Sequence, residues 1–497
     1  MTTNAAALLL AGRAGATALI ANDDTIGYGA LRERVIGAAA GWSARGIAPG
    51  DICVVALADG IDWVIAFLSL VWAGAVPALI SPKTEPRMIA ELLAESHAKL
   101  LLAEDPVAQS VGDARALSLS AWLAARAQSP GGRPEPIAVQ DTTPAFMLFS
   151  SGTTGRPKGV VHAHRCVQHA QAFAQRVLGA HAGDRFYSTS KLFFAYPLAN
   201  SLFAGLRLGA TVILDAQWPS PERVAELSRR HRPTLLFSVP TLYRRLLDAG
   251  VGFDAMRRCV SAGEACPRPL AEAWQRRHGL ELIDGYGTTE TLVLMLYKPP
   301  EMAGARAAPL AKVREEPAEG GVDSASGVRL WFSHPCVSLG YTREAPHDSA
   351  RFGADGFSPG DVFRRSDDKE DDGVPSWTYA GRSDQLLKVY GRWVDTLALE
   401  HWLIEKMQAE VAELSVVASD DGDAGTRLHL FVVPRTGRET ALPERVQQLC
   451  GELHHYQRLA ETHVVDELPR TETGKVKRGA LRESLRQADA ARTEQTG

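Results

Sequence analysis

One glycine-rich stretch decides how this chain is to be understood: Ser150-Ser151-Gly152-Thr153-Thr154-Gly155-Arg156-Pro157-Lys158-Gly159-Val160, which follows the apolar run Phe146-Met147-Leu148-Phe149. Glycines let a backbone approach a phosphate closely, and hydroxyl and free N–H groups donate to phosphate oxygens. Lys158 adds a positive charge. The stretch therefore predicts a mobile loop that binds nucleotide phosphates after a short buried strand.

Two other interpretations compete with this one. In the P-loop of the NTPases, Gly-Lys is followed by Ser or Thr, whereas here Lys158 follows Pro157 and precedes Gly159. The P-loop pattern is therefore not met. A plain polar hairpin turn stays open, because Ser, Thr, Gly and Pro are ordinary turn residues.

The order of residues in this stretch resembles the signature loop of the acyl-adenylate-forming superfamily, which comprises acyl-CoA synthetases, luciferases and the adenylation domains of nonribosomal peptide synthetases. The resemblance implies that the loop holds the β- and γ-phosphates of ATP and relaxes once pyrophosphate leaves. The ATP-binding residues it implies here are Ser150, Ser151, Gly152, Thr153, Thr154, Gly155 and Lys158.

Composition sets broad limits on the answer. A chain of 497 residues exceeds what one hydrophobic core usually supports, so at least two domains are expected. A net charge of -4 gives no reason to propose nucleic acid or an anionic membrane as a partner. The six cysteines form no CxxC pair, which favours reduced thiols in a cytoplasmic protein. We expect neither a signal peptide nor a membrane span.

The pattern along the chain predicts an α/β fold. Short apolar runs alternate with segments of helical periodicity from Tyr28 to Ala103, and again after the glycine loop, which indicates parallel sheets covered by helices. We expect one helix over residues 164–178 and an irregular connection over residues 301–326. The strands and helices after Leu386 predict a small α+β unit, with a frayed tail beyond Glu483.

The expected architecture is thus a large N-terminal domain of layered α/β subdomains, residues 1–383, and a small mobile α+β C-terminal domain, residues 384–497. The boundary rests on a further resemblance. The stretch from Gly381 to Val394 is similar to the superfamily's hinge motif, which implies that Arg382 contacts the ribose or a phosphate and that Asp384 is the pivot. Gly391 would lie beside the pantetheine arm of the thiol substrate.

A second motif is Asp284-Gly285-Tyr286-Gly287-Thr288-Thr289-Glu290. Its resemblance to the superfamily implies that Tyr286 stacks on adenine, Thr289 touches the α-phosphate and Glu290 holds Mg²⁺, a role that suits a hard carboxylate. Asp284 and Gly287 belong to the same nucleotide site. Upstream, Gly263 and Glu264 lie in a loop that resembles the one flanking the adenine.

Two more motifs complete the resemblance. Asp361 follows Gly360 and would accept both ribose hydroxyl groups. The stretch from Leu468 to Arg478 resembles the loop whose lysine completes the adenylation site, which implies that Lys475 is this lysine. The catalytic residues implied by the resemblance are then Lys475, Thr289 and Glu290. A solvated basic loop would be the plain interpretation of that stretch alone.

The chemistry implied by the resemblance has two steps. A carboxylate and ATP·Mg²⁺ give an acyl-adenylate and pyrophosphate, and the thiol of coenzyme A then displaces AMP. Between the two steps, rotation of the C-terminal domain would withdraw Lys475 from the active site and bring in the strand around Gly391. No nucleophilic side chain is needed, so we interpret Cys166 and the other cysteines as packing residues.

The acid pocket is expected beside Phe194, Ala195 and Tyr196, together with Gly285 and Val293. Ala195 stands where amino-acid-adenylating relatives carry an Asp for the substrate ammonium group, which argues against an α-amino acid. The segment from Lys191 to Tyr196 resembles benzoate-CoA ligases, so an aryl acid is favoured. Val293 departs from that pattern, and ordinary core packing is the alternative for each aromatic residue.

The sequence therefore predicts an AMP-forming aryl carboxylate–CoA ligase that uses ATP, Mg²⁺ and coenzyme A. Two alternatives stay open: a stand-alone enzyme that loads the acyl group onto a carrier protein, and a catalytically dead binding protein on the same fold. The presence of Lys158, Glu290, Asp361, Arg382 and Lys475 argues against the second. We expect a monomer or a homodimer.

Overall fold

The computed structural model describes residues 3–127, 132–151, 157–317, 327–343, 350–366, 374–382, 386–389, 392–407, 409–420, 426–435, 437, 442–470 and 476–496. The chain forms two compact units. The first comprises Met1–Arg314, Trp331–Pro359 and Ser366–Ser376, and the second comprises Glu315–Leu330, Gly360–Arg365 and Trp377–Gly497. The predicted domain boundary after residue 383 stays a prediction.

The first unit contains a sheet whose central strands are parallel, as expected for strands joined by helices. In spatial order its strands within this unit include Asp24–Gly27, Thr17–Ala21, Thr211–Leu214, Arg185–Ser188, Leu235–Ser238, Arg258–Ala262, Leu282–Tyr286, Leu296–Lys298 and Ala305–Ala307. The strands at each end of this series are antiparallel to their neighbours in it.

A second sheet in the same unit is also mostly parallel and has two antiparallel pairings at one edge. Its strands in spatial order are Gly340–Tyr341, Pro157–Ala163, Pro144–Ser151, Val76–Leu79, Ile52–Ala56, Leu100–Ala103 and Ala116–Ser118. The short strands Phe352–Gly353 and Gly356–Phe357 also belong to the first unit. Two α/β layers thus confirm the predicted fold class.

Helices begin where the sequence supplies start signals. Ser220 caps the helix Pro221–His231 by accepting a hydrogen bond from the Arg223 N–H, and a proline occupies the first turn. The α-helices of the first unit are Ala5–Leu9, Tyr28–Ala44, Ile61–Trp72, Pro86–Glu95, Asp105–Val111, Leu119–Ala127, Ala172–Arg176, Ala195–Pro197, Ala204–Arg207, Pro221–His231, Pro240–Asp248 and Arg268–His278. A π-helical segment, Leu198–Phe203, continues from Ala195–Pro197.

Two predictions in the first unit are wrong in detail. The expected helix over residues 164–178 is a 3₁₀ turn, His164–His169, followed by the short helix Ala172–Arg176. The expected irregular connection contains the strand Ala305–Ala307 and the strand Lys312–Pro317, which crosses from the first unit into the second. Both errors have one cause, since partner strands and packing decide short elements that local periodicity specifies weakly.

The second unit is α+β, as the sequence predicts. Its strands are Asp361–Arg365, Ser376–Arg382, Leu386–Val389, Arg392–Asp395, Val411–Asp420, Thr426–Pro434 and Leu459–Val464, with Val328–Ser333 shared between the units. Its helices are Thr396–Lys406, Leu442–Cys450 and Arg478–Thr496, with a 3₁₀ turn at His455–Gln457. The tail beyond Glu483 is therefore helical, contrary to the expectation of a frayed end, and Leu481 and Leu485 are buried.

Among the described residues, no helix combines the length and the apolar character needed to cross a membrane.

Candidate active site

Two of the predicted nucleotide motifs lie at the carboxyl ends of neighbouring strands of the larger sheet. The strands Arg258–Ala262 and Leu282–Tyr286 run parallel and in register, so their carboxyl ends lie side by side. Gly263 and Glu264 follow the first of these strands, and the segment from Gly287 to Glu290 follows the second. Ligands of open α/β sheets bind at this edge, and local chain direction is enough to bring the two motifs together.

The two ends of the glycine-rich stretch lie on paired strands. Ser150 lies opposite Lys158, and Ser151 lies opposite Pro157, on two antiparallel strands. The predicted residues Gly152, Thr153, Thr154 and Gly155 lie outside the described residues. The two interpretations of this stretch, a hairpin turn and a phosphate-binding loop, are therefore compatible, because the strand pairing involves only the two ends of the stretch.

Tyr341 links two of the predicted site residues. Its hydroxyl group donates a hydrogen bond of 2.8 Å to Glu290 Oε1, and its ring centroid lies 5.7 Å from Lys158 Nζ. The strand Gly340–Tyr341 pairs with the glycine-loop hairpin at Val160, which fixes this position. The sequence analysis missed Tyr341, since no spacing in the sequence connects it to either partner.

Glu290 is held by its own backbone as well as by its carboxylate. The residue is 7% exposed, and its carbonyl oxygen accepts a hydrogen bond of 2.8 Å from the Ser338 N–H. A buried carboxylate with one hydroxyl donor has further oxygen lone pairs for a hard cation. The residue therefore fits the predicted role of a Mg²⁺ ligand.

A tight turn follows Glu290 and places Val293. Thr291 Oγ1 accepts a hydrogen bond from the Thr288 N–H at 2.9 Å, and Leu292 adopts a positive φ of 64°. A bulky residue in this region is strained and persists only where its surroundings fix it. The turn brings the Val293 carbonyl oxygen so close to Gly287 that a Cβ atom there would lie 2.7 Å from it.

Asp284 begins the second motif in the middle of the strand Leu282–Tyr286. Burial raises the pKa of its carboxyl group to about 7, and Lys298, its partner on the neighbouring antiparallel strand, acts in the opposite direction. The ring of Tyr286, two residues later, lies 5.9 Å from that of Phe332. Both predicted residues thus lie on the strand that leads to Glu290.

Tyr196 joins the predicted acid pocket to this edge. Its hydroxyl group donates a hydrogen bond of 2.9 Å to the carbonyl oxygen of Val260, in the strand next to Gly285. Burial raises the pKa of Tyr196, and the nearby Asp284 adds to the effect. The structure thus brings the Tyr196 hydroxyl group to the strand that neighbours Gly285. Ala195 is buried beside Tyr196, and the ring of Phe194 contacts that of Phe193 at 4.2 Å.

A buried charged network stands behind the pocket segment, and the sequence analysis missed it. Lys191 is 5% exposed, and its ammonium group donates to the backbone carbonyl oxygens of Asp215, at 2.6 Å, and Gln217. The Asp59 carboxylate accepts hydrogen bonds of 3.2 and 3.1 Å from the Leu192 N–H. Asp59 follows an apolar run. A charged residue in that position is unusual, and this could have identified Asp59 from the sequence.

The pKa values of this network follow from its burial. Burial raises the pKa of Asp59 to about 7, although the positive charge of Lys191 opposes the shift. Burial likewise lowers the pKa of Lys191, against the attraction of Asp59 and Asp215. The backbone at Leu192, which leads into Phe194 and Ala195, is thereby fixed by a group that titrates close to neutrality.

The cysteines fit a packing role. Burial raises the pKa of Cys166 to about 11, and its thiol donates toward the carbonyl oxygen of Cys336 at 3.4 Å. A thiol with so high a pKa is almost entirely protonated at neutral pH and is a poor nucleophile. All six cysteines are free thiols.

Two of the predicted residues of the second unit lie opposite each other. Asp361, which is buried, pairs in register with Arg382 on the antiparallel strand, and Gly360 before it adopts a φ of 78°. Only glycine adopts that conformation readily, which explains the Gly-Asp order. Asp384, Gly391 and Lys475 lie outside the described residues.

Comparison with known proteins identifies the family of this chain. The model of the AMP-binding enzyme family matches residues 8–342, and that of the AMP-binding enzyme C-terminal domain matches residues 403–475. The first match alone covers more than half of the chain. It confirms the resemblance stated from the motifs.

Three relatives span nearly the whole chain. A 3-hydroxybenzoate–CoA ligase of Aromatoleum sp. (strain CIB) is 34% identical, with 96% of this chain and 95% of the relative covered. An anthranilate–CoA ligase of Pseudomonas aeruginosa is 33% identical, with 88% of each covered. The crystal structure of a benzoate CoA ligase from Burkholderia xenovorans LB400 superposes with a TM-score of 0.85 at 29% identity, covering 97% of this chain and 100% of that one. The chain therefore belongs to the AMP-binding enzyme family.

Proposed function

We propose that this chain is an AMP-forming ligase that activates an aryl carboxylate with ATP and transfers the acyl group to coenzyme A. The observation that carries the proposal is the convergence of Lys158 and Glu290 on Tyr341, beside the carboxyl edge of a parallel sheet that also presents Tyr286. Together these residues offer a glycine-rich hairpin, a carboxylate and an aromatic ring, which are the parts that binding of a nucleoside triphosphate requires.

The roles of the individual residues follow from this placement. We assign the β- and γ-phosphates to the hairpin that ends at Lys158, and the adenine to Tyr286 and the loop at Gly263 and Glu264. Glu264 is oriented by a hydrogen bond of 2.8 Å from Thr241 Oγ1. Glu290 would hold Mg²⁺, which supplies positive charge against the phosphates when bound.

The ribose and the α-phosphate involve further residues. We assign the ribose hydroxyl groups to Asp361, with Arg382 on the opposite strand beside it. Thr289 and Lys475 are assigned to the α-phosphate during attack by the carboxylate, where a positive charge stabilises the charge that develops. Asp384 is proposed as the pivot that exchanges Lys475 for Gly391 between the two steps.

The substrate acid is proposed to be a benzoate or a substituted benzoate. The similar proteins are named for 3-hydroxybenzoate, anthranilate and benzoate, which share an aromatic ring and differ in its substituent. Tyr196, Ala195 and Phe194 supply an apolar lining without a carboxylate for an amino group. Gly285 and Val293 would then set how large a substituent the site accepts.

The test is AMP formation by the purified chain with ATP, Mg²⁺ and a panel of benzoates, heteroaryl acids and short fatty acids, with and without coenzyme A. We expect AMP release with aryl acids and the mass of the aryl-CoA only when coenzyme A is present. Turnover of fatty acids alone would contradict the pocket assignment. A thioester formed with a holo-carrier protein but not with coenzyme A would identify the alternative acceptor.

We further propose that the enzyme works in the cytoplasm as a monomer or a homodimer. Free cysteines are typical of proteins in a reducing compartment, and all six cysteines here are free thiols. Light scattering of the purified protein distinguishes the two oligomeric states.

A further inference from the structure

A cluster of side chains on the small sheet of the second unit contains none of the predicted site residues. The strands Thr426–Pro434 and Leu459–Val464 are parallel neighbours, and their register sets Glu461 beside His429 and His463 beside Phe431. Successive side chains of a strand alternate between faces, so Glu461 and His463 share one face. The pairing therefore brings two imidazoles and one carboxylate together.

The distances between their ligand atoms are those of a coordination shell. His429 Nδ1 lies 3.2 Å from His463 Nε2, and Glu461 Oε2 lies 3.7 Å from His463 Nε2 and 4.0 Å from His429 Nδ1. In a tetrahedral zinc site the bonds to nitrogen and oxygen are about 2.0–2.1 Å, so neighbouring ligand atoms lie about 3.3 Å apart. Small side-chain rotations would place all three atoms around one ion.

The surroundings orient the two rings. His429 Nε2 lies 2.9 Å from Ser419 Oγ, and a partner on the second ring nitrogen is what fixes the tautomer of a histidine ligand. The ring of Phe431 stacks on that of His463 with centroids 4.6 Å apart. The ring nitrogens that face each other are therefore held in place by residues other than the ligands.

Exposure leaves the cluster open on one side. The side chain of His429 is 10% exposed, that of His463 is 23% exposed and that of Glu461 is 41% exposed. An ion can enter from the side of Glu461, and water can complete the shell there. Imidazole and carboxylate ligands suit Zn²⁺, Co²⁺ and Ni²⁺ better than Mg²⁺ or Ca²⁺.

We propose that His429, Glu461 and His463 form a divalent transition-metal site, separate from the Mg²⁺ site assigned to Glu290. A bound ion would connect the strand Thr426–Pro434 to the strand Leu459–Val464, which are separated in sequence by the helix Leu442–Cys450. Because an ion that binds the folded form alone stabilises it by mass action, the second unit should resist unfolding more strongly when Zn²⁺ is present.

The experiment is calorimetric titration of the full-length, chelator-treated protein with ZnCl₂. We expect tight binding of a single Zn²⁺ ion, with the affinity reduced at least about 10-fold in His463→Gln and in Glu461→Gln, since each removes one ligand. His454→Gln is the matched control, because His454 is an exposed histidine of the same unit outside the cluster. Its affinity should equal that of the wild type.

A second measurement keeps the result decisive. Circular dichroism identifies any variant that does not fold, and Glu461→Gln, at the most exposed of the three ligands, carries the comparison if His463→Gln fails. Thermal unfolding should shift upward with Zn²⁺ in the wild type and in His454→Gln but not in Glu461→Gln. Equal zinc affinity and equal thermal shifts in the wild type, His454→Gln and Glu461→Gln would overturn the proposal. The absence of zinc binding by the wild type would overturn it as well.

Discussion

The hydroxyl group of Tyr341 donates a hydrogen bond of 2.8 Å to the carboxylate of Glu290. The ring of the same tyrosine lies 5.7 Å from Lys158 Nζ, within the range of a cation–π contact. One side chain thus contacts the residue assigned to Mg²⁺ and the residue assigned to the ATP phosphates. This makes Tyr341 a positioning residue, which acts through Glu290 and Lys158.

Tyr341→Phe should lower kcat/KM for ATP at limiting Mg²⁺ by about 10- to 100-fold, because a hydrogen bond to a charged group contributes about 1.5–3 kcal/mol. Saturating Mg²⁺ should recover part of the loss, which a merely structural role would not allow. Tyr341→Leu also removes the contact with Lys158 and should raise the KM for ATP further. If Tyr341→Phe shows the wild-type dependence on Mg²⁺, the positioning role is wrong.

Gly287 and Gly285 offer a matched pair of substitutions. A Cβ atom at Gly287 would lie 2.7 Å from the Val293 carbonyl oxygen, which is backbone, whereas one at Gly285 would lie 2.6 Å from Leu294 Cδ1, the end of a flexible side chain. Gly287→Ala must therefore displace the turn that contains Glu290. Overpacking costs about 1–3 kcal/mol, so we expect adenylation to fall by about 5- to 100-fold with every acid.

Gly285→Ala should behave differently. Leu294 can move, so activity with benzoate should persist while activity with bulkier substituted benzoates declines. Pyrophosphate exchange across a substituent series measures both variants. Equal losses for benzoate and for larger acids in Gly285→Ala would remove Gly285 from the acid pocket.

The sequence predicts the elements and motifs that depend on local signals. The short apolar runs after the glycine loop, such as the one in the strand Arg258–Ala262, predict the parallel strands that the structure contains. The family resemblance supplied the roles of the motif residues. What both missed are partnerships across long sequence separations, such as Tyr341 with Glu290 and Asp59 with Leu192.

The errors in secondary structure have a similar physical origin. The segment after His164 has helical periodicity but is broken into a 3₁₀ turn and a short helix. The tail after Glu483 is polar, yet Leu481 and Leu485 bury one side of its helix against Val417 and Phe431. Tertiary packing decides such elements, and a single sequence does not report it.

Asp59 predicts a pH dependence of stability with a definite sign. Its pKa rises from the ordinary 3.8 to about 7 in the folded protein, so the folded state binds the proton more tightly than the unfolded state. The stabilising contribution is complete below about pH 4 and is lost as the pH rises to about 7, with a slope of at most about 1.4 kcal/mol per pH unit. Asp59→Asn should therefore flatten the decline in thermal stability over that range.

Asp113 is the control of opposite sign. Hydrogen bonds from Arg115 lower the pKa of Asp113 to about 2, so its contribution is present above the ordinary pKa and is lost as the pH falls toward 2. Asp113→Asn should leave the slope between about pH 5 and pH 7 unchanged. An unchanged slope in Asp59→Asn over the same range would show that Asp59 is ionised in the folded state.

Lys475 can be tested separately from the basic character of its loop. The ends of this loop are fixed: Arg470 pairs with Val476, and the Lys477 N–H donates a hydrogen bond of 2.7 Å to the Pro469 carbonyl oxygen. Lys477 is exposed beside it and serves as the control of equal charge.

Lys475→Ala should reduce pyrophosphate exchange by about 10²–10³-fold, the usual cost of removing a group that stabilises transition-state charge. Lys477→Ala should change the rate of pyrophosphate exchange little, because salt screens the attraction between an exposed charge and the substrate phosphates. Thioester formation from a supplied aryl-adenylate and coenzyme A should persist in both variants, since Lys475 is assigned to the adenylation step and not to the displacement of AMP by the thiol. Equal losses in Lys475→Ala and Lys477→Ala would mean that the loop contributes only net charge, and the adenylation step would need another cation.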